Sequence, residues 1–247
     1  MLNIPLFPLN TVLFPAGVVP LRVFELRYTD MVRDCLREGT PFGVVNIVRG
    51  SGAKTASAQE HHIVGTLATV IDFDMHDPGV LLIAVQGGQR FKVLDTHAKN
   101  NGLIRADVEL IDSEATAPVP EALDACVKLA MQISQQLEEQ FAEAEKAGVK
   151  PFVFPLPKPY QFEEAGWLAN RYAELMPLEQ RQRQMLLEML DPVARLRWVY
   201  DFLKSKDIID NEPSNEPTTA LAVESTAEVD KLSANKATKK SRNDSND

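Results

Sequence analysis

The chain has 247 residues, 45% of them hydrophobic and 25% charged, with a formal net charge of -9 and a pI near 5.1. That composition is globular and the length suffices to bury a core without covalent staples. The acidic balance argues against nucleic acid as a partner, and no run of about 18 apolar residues is present to cross a membrane as a helix.

The N-terminus is apolar but broken by Pro5, Pro8, Pro15 and Pro20, and its first positive side chain is Arg22. A secretory leader needs a charged start and an unbroken apolar core, so none is read here. The only two cysteines, Cys35 and Cys126, give neither a disulfide framework nor metal-ligand spacing. They fit a reducing compartment, and a cytoplasmic location is expected.

Residues 1–117 read as strands around one helix. Ile4-Pro5-Leu6-Phe7 and Val12-Leu13-Phe14 are short apolar runs, and residues 18–24 form the next strand. Residues 25–38 carry Tyr28, Met31, Val32, Cys35 and Leu36 on one helical face, with Gly39 at the stop. Residues 42–48 follow as a buried-type strand, and residues 50–60, small and polar, as an exposed mobile loop. A long strand over 62–75 turns at Asp77-Pro78-Gly79 and returns over 80–85 as a hairpin. Gly87-Gly88 predicts a bulge or sharp bend in the return strand, which continues over 90–94. After a turn at Asn100-Asn101-Gly102, residues 103–111 close the region. Short strands with glycine corners predict a small, partly closed barrel.

Residues 118–207 show helical periodicity. Pro118 and Pro120 open a helix with Leu123, Val127, Ala130, Ser134, Leu137 and Phe141 on one face, ended by Gly148. Pro151, Pro155, Pro157 and Pro159 force an extended connector whose apolar members, Phe152, Val153, Phe154 and Leu156, must pack or present themselves. Ala165, Leu168, Tyr172 and Leu175 make the next stripe. A third helix over 178–190 carries Met185, Leu186 and Met189. Asp191-Pro192 then caps a fourth, with Leu196, Val199, Tyr200 and Leu203. Short connections predict antiparallel packing as a bundle. Residues 208–247 lack aromatics and cannot bury enough apolar surface to order, so a disordered tail is expected; its Lys239-Lys240-Ser241-Arg242 cluster reads as solubilising.

Few side chains point to chemistry. Asp72, Asp74 and His76 alternate on one strand face, as a metal or acid/base site would need, but a polar hairpin end facing solvent is the favoured reading, since zinc sites prefer His and Cys. His61 and His62 are adjacent and point opposite ways, so both read as surface residues. Arg90 and Glu25 are a possible pair pinning helix to barrel, or a charged clamp in a groove; the first reading is favoured. Cys35 and Cys126 read as small buried hydrophobes, and Trp167 and Trp198 as core anchors. No metal, cofactor or nucleophile–base constellation is assigned.

Several blocks, in order, resemble the N-terminal substrate-binding domain of Lon proteases. They are Ile4-Pro5-Leu6-Phe7-Pro8-Leu9, Val12-Leu13-Phe14-Pro15-Ala16-Gly17, Pro20-Leu21, Phe24-Glu25-Leu26-Arg27-Tyr28, Val64-Gly65-Thr66-Leu67-Ala68 and Gly87-Gly88-Gln89-Arg90-Phe91. In the helical half they are Leu168-Ala169-Asn170, Gln184-Met185-Leu186-Leu187-Glu188 and Asp191-Pro192-Val193-Ala194-Arg195-Leu196. The resemblance implies an α+β fold, a PUA-like pseudo-β-barrel followed by an α-helical bundle, that helps capture polypeptide substrates. The phosphate-loop pattern of the Lon ATPase and the Ser–Lys peptidase domain have no counterpart in this sequence.

The expectation is a non-catalytic module that binds unfolded or flexible polypeptide or a protein partner and is linked to proteolysis or quality control. Its apolar groove is expected near the barrel–bundle junction, with Phe152, Phe154, Arg90 and Glu25 as candidates. A hydrolase with an unrecognised site, and an RNA-binding PUA-like module, are the alternatives; fold analogy alone carries the latter.

Overall fold

A computed structural model describes residues 1–48, 60–77, 79–148 and 152–209, the side chains of residues 76 and 77 excepted. Six strands, β1 (Leu2–Leu9), β2 (Val18–Val23), β3 (Phe42–Ile47), β4 (His61–Asp77), β5 (Val80–Ala98) and β6 (Ile104–Leu110), form one sheet in the order β2-β5-β4-β3-β1-β6. β6 also pairs with β5, which closes β5-β4-β3-β1-β6 into a ring and leaves β2 appended to β5. β1 and β3 run parallel; the other pairings are antiparallel.

β5 serves both flanks because it bends at its double glycine. Thr66 faces Arg90 and Ala68 faces Gly87, so Gly88 and Gln89 together oppose Leu67 in a bulge. Before the bend β5 pairs with β2, and after it with β6. The two apolar runs on either side of Gly87-Gly88 are thus one strand. Gly87 also lets the chain between β1 and β2 cross closely. Ala16 N–H donates to the Gly87 carbonyl and Gly87 N–H to the Gly17 carbonyl, both at 2.8 Å. A Cβ on Gly87 would overlap the Phe14 carbonyl oxygen.

Val12, Leu13 and Phe14, expected as a strand, are instead a buried stretch of irregular chain. Such a path is tolerated when its carbonyls find donors. Leu13 O accepts from Thr66 Oγ1 at 2.6 Å, Phe14 O from Gly17 N–H at 3.0 Å, and Pro15 O from Arg171 Nη2 at 2.9 Å.

Helix α1 (Leu26–Glu38) stops at Gly39, whose φ of 64° closes the last turn with an N–H bond to Cys35 O. Its face of Tyr28, Met31, Val32 and Cys35 lies on the sheet with Phe7, Phe42, Ile83 and Val85, and Phe7 stacks on Tyr28 at 4.3 Å. A second core inside the ring contains Ile4, Leu6, Val45, Phe91, Ile104 and Val108.

The helical half contains α2 (Asp124–Lys146), α3 (Ala165–Leu175), α4 (Gln180–Glu188) and α5 (Pro192–Ser205). Asp191 caps α5 through bonds from Val193 N and Ala194 N at 2.9 and 3.0 Å, with Pro192 in the first turn as expected. The stripe expected of α3 understates it: every residue from 165 to 173 is buried. Small Ala165, Gly166, Ala169 and Ala173 let neighbours close around it. Tyr172 Oη donates to Cys126 O of α2 at 2.6 Å, and Arg195 of α5 donates to Asn170 Oδ1 at 2.6 Å.

Strands and helices belong to one compact unit, Met1–Glu174 with Leu178–Asn211; the remainder, Leu175–Pro177 and Glu212–Asp247, falls almost wholly outside the described residues. The expected mobile loop beyond β3, Pro151 and the expected tail beyond residue 209 lie outside them too.

Candidate functional site

Arg90 is 4% exposed, and its guanidinium is used inside the molecule. Nη1 donates to the carbonyls of Leu187 and Met189 at 2.8 and 2.9 Å, where α4 ends and leaves carbonyls without helical partners. Nη2 donates to Glu114 Oε2 at 3.1 Å, and the same carboxylate oxygen accepts from Arg195. Barrel strand β5, the segment after β6, α4, α5 and α3 therefore meet in one buried polar network. Burial pulls the Arg90 guanidinium below its ordinary pKa, and the Glu114 charge offsets part of that.

The expected partner of Arg90 is thus corrected. Glu25 is exposed and accepts from Arg27 Nη2 at 2.6 Å, within its own short segment. Arg90 pairs with Glu114 because that acid lies beside the helix end Arg90 already caps. The pair pins barrel to helices, and Arg90 offers no surface to a ligand.

Phe152 and Phe154 are half-buried. Phe154 packs edge-on against Phe141 of α2 at 4.8 Å between ring centres, and farther along the connector Tyr160 Oη donates to Glu138 at 2.8 Å. The connector thus touches the second half of α2 at Phe141 and Glu138. Trp167 is buried, as expected of an anchor; Trp198 is half-buried and stacks on Phe202 at 5.6 Å.

The surface that sequence reading missed is the far end of the β2–β5–β4 sheet. Val23 is level with Leu81, and Leu82 with Asp74, so the end of β2, the start of β5 and the far half of β4 share one edge of the molecule. There Phe24 is 70% exposed, Leu26 74%, Phe73 58% and Met75 78%. Phe73 sits opposite Ile83, which sits opposite Leu21. Cross-strand partners share a face, so the row that is core at Ile83 runs out into solvent at Phe73. The available signal was the alternation that drew attention to Asp72 and Asp74: what places those acids on one face places Phe73 and Met75 on the other.

Asp72 and Asp74 are exposed, and Asp72 Oδ1 accepts the Phe73 N–H at 2.8 Å. Among the described residues no group of three or more His, Cys, Asp or Glu is arranged to hold a metal. Both cysteines are buried, and burial pushes the Cys126 thiol up to about 12, far from a thiolate at neutral pH. No described helix is long and apolar enough to cross a membrane.

Comparison with known proteins adds a family. The family model described as the ATP-dependent protease La (LON) substrate-binding domain matches residues 3–205. The Lon protease of Anaeromyxobacter dehalogenans is 27% identical over 207 residues, which is 82% of this chain and 23% of that protein. Lon protease 2 of Sorangium cellulosum is 30% identical over 203 residues, 80% of this chain and 24% of that protein. The chain spans about a quarter of the length of the curated relatives it matches. Among solved structures, the Lon N-terminal domain protein from Xanthomonas campestris aligns with a TM-score of 0.62 at 30% identity, over 82% of this chain and 99% of that one. The N-terminal domain of Mycobacterium avium complex Lon protease shares the fold at a TM-score of 0.50 and 18% identity, over 82% and 98%.

Proposed function

Because the chain belongs to the Lon substrate-binding domain family, we propose that it captures unfolded or flexible polypeptide, with the apolar end of the β2–β5–β4 sheet as its binding surface. The observation that carries this reading is the exposure of Phe24, Leu26, Phe73 and Met75, 58–78% each, at the end of the sheet where β2, β5 and β4 come level. Large apolar side chains grouped in this way mark an interaction surface, whereas scattered ones need no explanation. Unfolded chains expose apolar side chains that native proteins bury, so such a surface selects for the unfolded state.

The likeness covers only the substrate-binding part of proteins named as proteases, so the role proposed is recognition, with any cleavage left to a protease that receives the captured chain. The half-buried connector at Phe152 and Phe154 is the competing location. A photo-crosslinking side chain placed at Met75 is expected to label unfolded casein, and one placed at Phe154 is not. Labelling from Phe154 with none from Met75 would move the surface to the connector.

A further inference from the structure

Among the described residues, the far half of β4 is paired on one side only. β3 pairs with β4 as far as Phe42 opposite Ala68, and β5 continues along the other side to Val80 opposite Asp77. Among the described residues no strand pairs with residues 69–77 on the side away from β5, and no loop or cap donates a backbone bond there. That edge spans roughly 30 Å at about 3.3 Å per residue. The Phe73 N–H goes to the Asp72 carboxylate, so it is directed off the β5 ladder toward the open side.

We infer that this edge accepts an extended segment of unfolded polypeptide as an added strand, a mode that rests on the capture reading and supplies its geometry. Three features define the occupant. A bare strand edge is complementary to peptide backbone in extended form and to little else. The row Leu21–Ile83–Phe73 ends in an exposed ring, so an added strand lays its own apolar side chains beside Phe73 and continues the core face. On the opposite face the exposed Asp72 favours basic residues at the alternate positions. The segment preferred is therefore an alternation of apolar and Lys or Arg side chains. The bulge that β4 itself makes at Ile71, between Val70 and Asp72, and the clip from Asp72 onto Phe73 N–H keep the edge from pairing with any strand at no cost, as guarded edges do. An incoming carbonyl must displace that clip.

The test uses a fluorescein-labelled decapeptide of alternating Val and Lys, its two alternately backbone-N-methylated forms, and unfolded casein, each titrated against the full chain. The unmodified peptide should bind. One of the two methylated forms should lose about tenfold or more, because it loses several backbone hydrogen bonds without changing side-chain order. Phe73→Pro removes an N–H that β5 does not use; it should keep the melting temperature within a few degrees while losing the peptide. If both methylated peptides bind like the parent while casein also binds, strand addition is wrong and capture through side chains stands. If neither peptide nor casein binds, both the edge and the capture reading fall.

Discussion

Arg90 joins β5 to α4, α5 and Glu114 with one guanidinium. Arg90→Ala would leave Glu114 with one cation fewer and strip the buried Leu187 carbonyl and the half-buried Met189 carbonyl of their donor. Breaking a buried pair in this way costs about 3–5 kcal/mol, and Arg90→Lys should recover only part of it because an ammonium cannot reproduce the fork. Urea unfolding of the two variants checks this; a neutral Arg90→Ala would remove the network from the account. That Arg90 is architectural was legible from its place after a glycine corner. Its partner was not, because Glu114 lies in a stretch with no periodicity and only the folded end of α4 brings it near.

Glu174 makes a second prediction at this scale. Burial raises its carboxyl to about 7, with Arg171 and Arg183 pulling the other way. Its side chain keeps 15% exposure, which tempers the effect. The folded chain thus holds a proton that the unfolded chain releases from about 4.5 upward. The stability from this group is complete below about 4.5 and is lost as pH rises through about 7. Relative to Glu174→Gln, the wild type should lose about 1–3 kcal/mol between about pH 5 and pH 8. Equal pH slopes for the two proteins would contradict it. At Cys126, with its thiol pushed up to about 12, iodoacetamide at mildly alkaline pH should label only the unfolded chain; rapid labelling of the native protein would be the contrary result.

At the scale of elements, the two adjacent glycines of β5 should behave differently although the sequence treats them alike. A Cβ at Gly87 collides with the Phe14 backbone, whereas at Gly88 the nearest atom is 3.5 Å away. Gly87→Ala should cost about 3 kcal/mol or more, since backbone rather than a flexible side chain must yield, and Gly88→Ala should cost under about 1 kcal/mol. Thermal unfolding of the pair decides it; equal losses would mean that the chain between β1 and β2 does not pack as described. The bend itself was legible, as were α1 with Gly39 and α5 with its Asp191 cap, because each has a local signature that packing does not override. Val12-Leu13-Phe14 was not. An apolar run reads the same whether its carbonyls are met by a neighbouring strand or by Thr66 and Gly17. Nor was the full burial of α3, since Ala and Gly carry little hydrophobic signal and their burial is decided by what surrounds them.

For the whole molecule, the blocks that carry the family resemblance largely coincide with its internal joints: Arg90, Asn170, Gln184 and Arg195 bond across elements, and Gln184 Nε2 donates to Val64 O at 3.1 Å. They report how barrel and helices are held together, which is why the α+β fold was readable and the binding surface was not. Phe73 and Met75 stand outside those blocks, and only the folded register of β2, β5 and β4 groups them with Phe24 and Leu26. The most direct test of capture is fluorescence anisotropy of labelled unfolded casein titrated with the wild-type chain and with a Phe73→Ser, Met75→Ser double variant, with gels of the same samples. Saturable binding that leaves casein intact, weakened about tenfold or more in the variant while its melting temperature holds, is the predicted result. No binding by the wild type, or equal binding by a folded variant, would contradict the assignment of polypeptide capture to this end of the sheet.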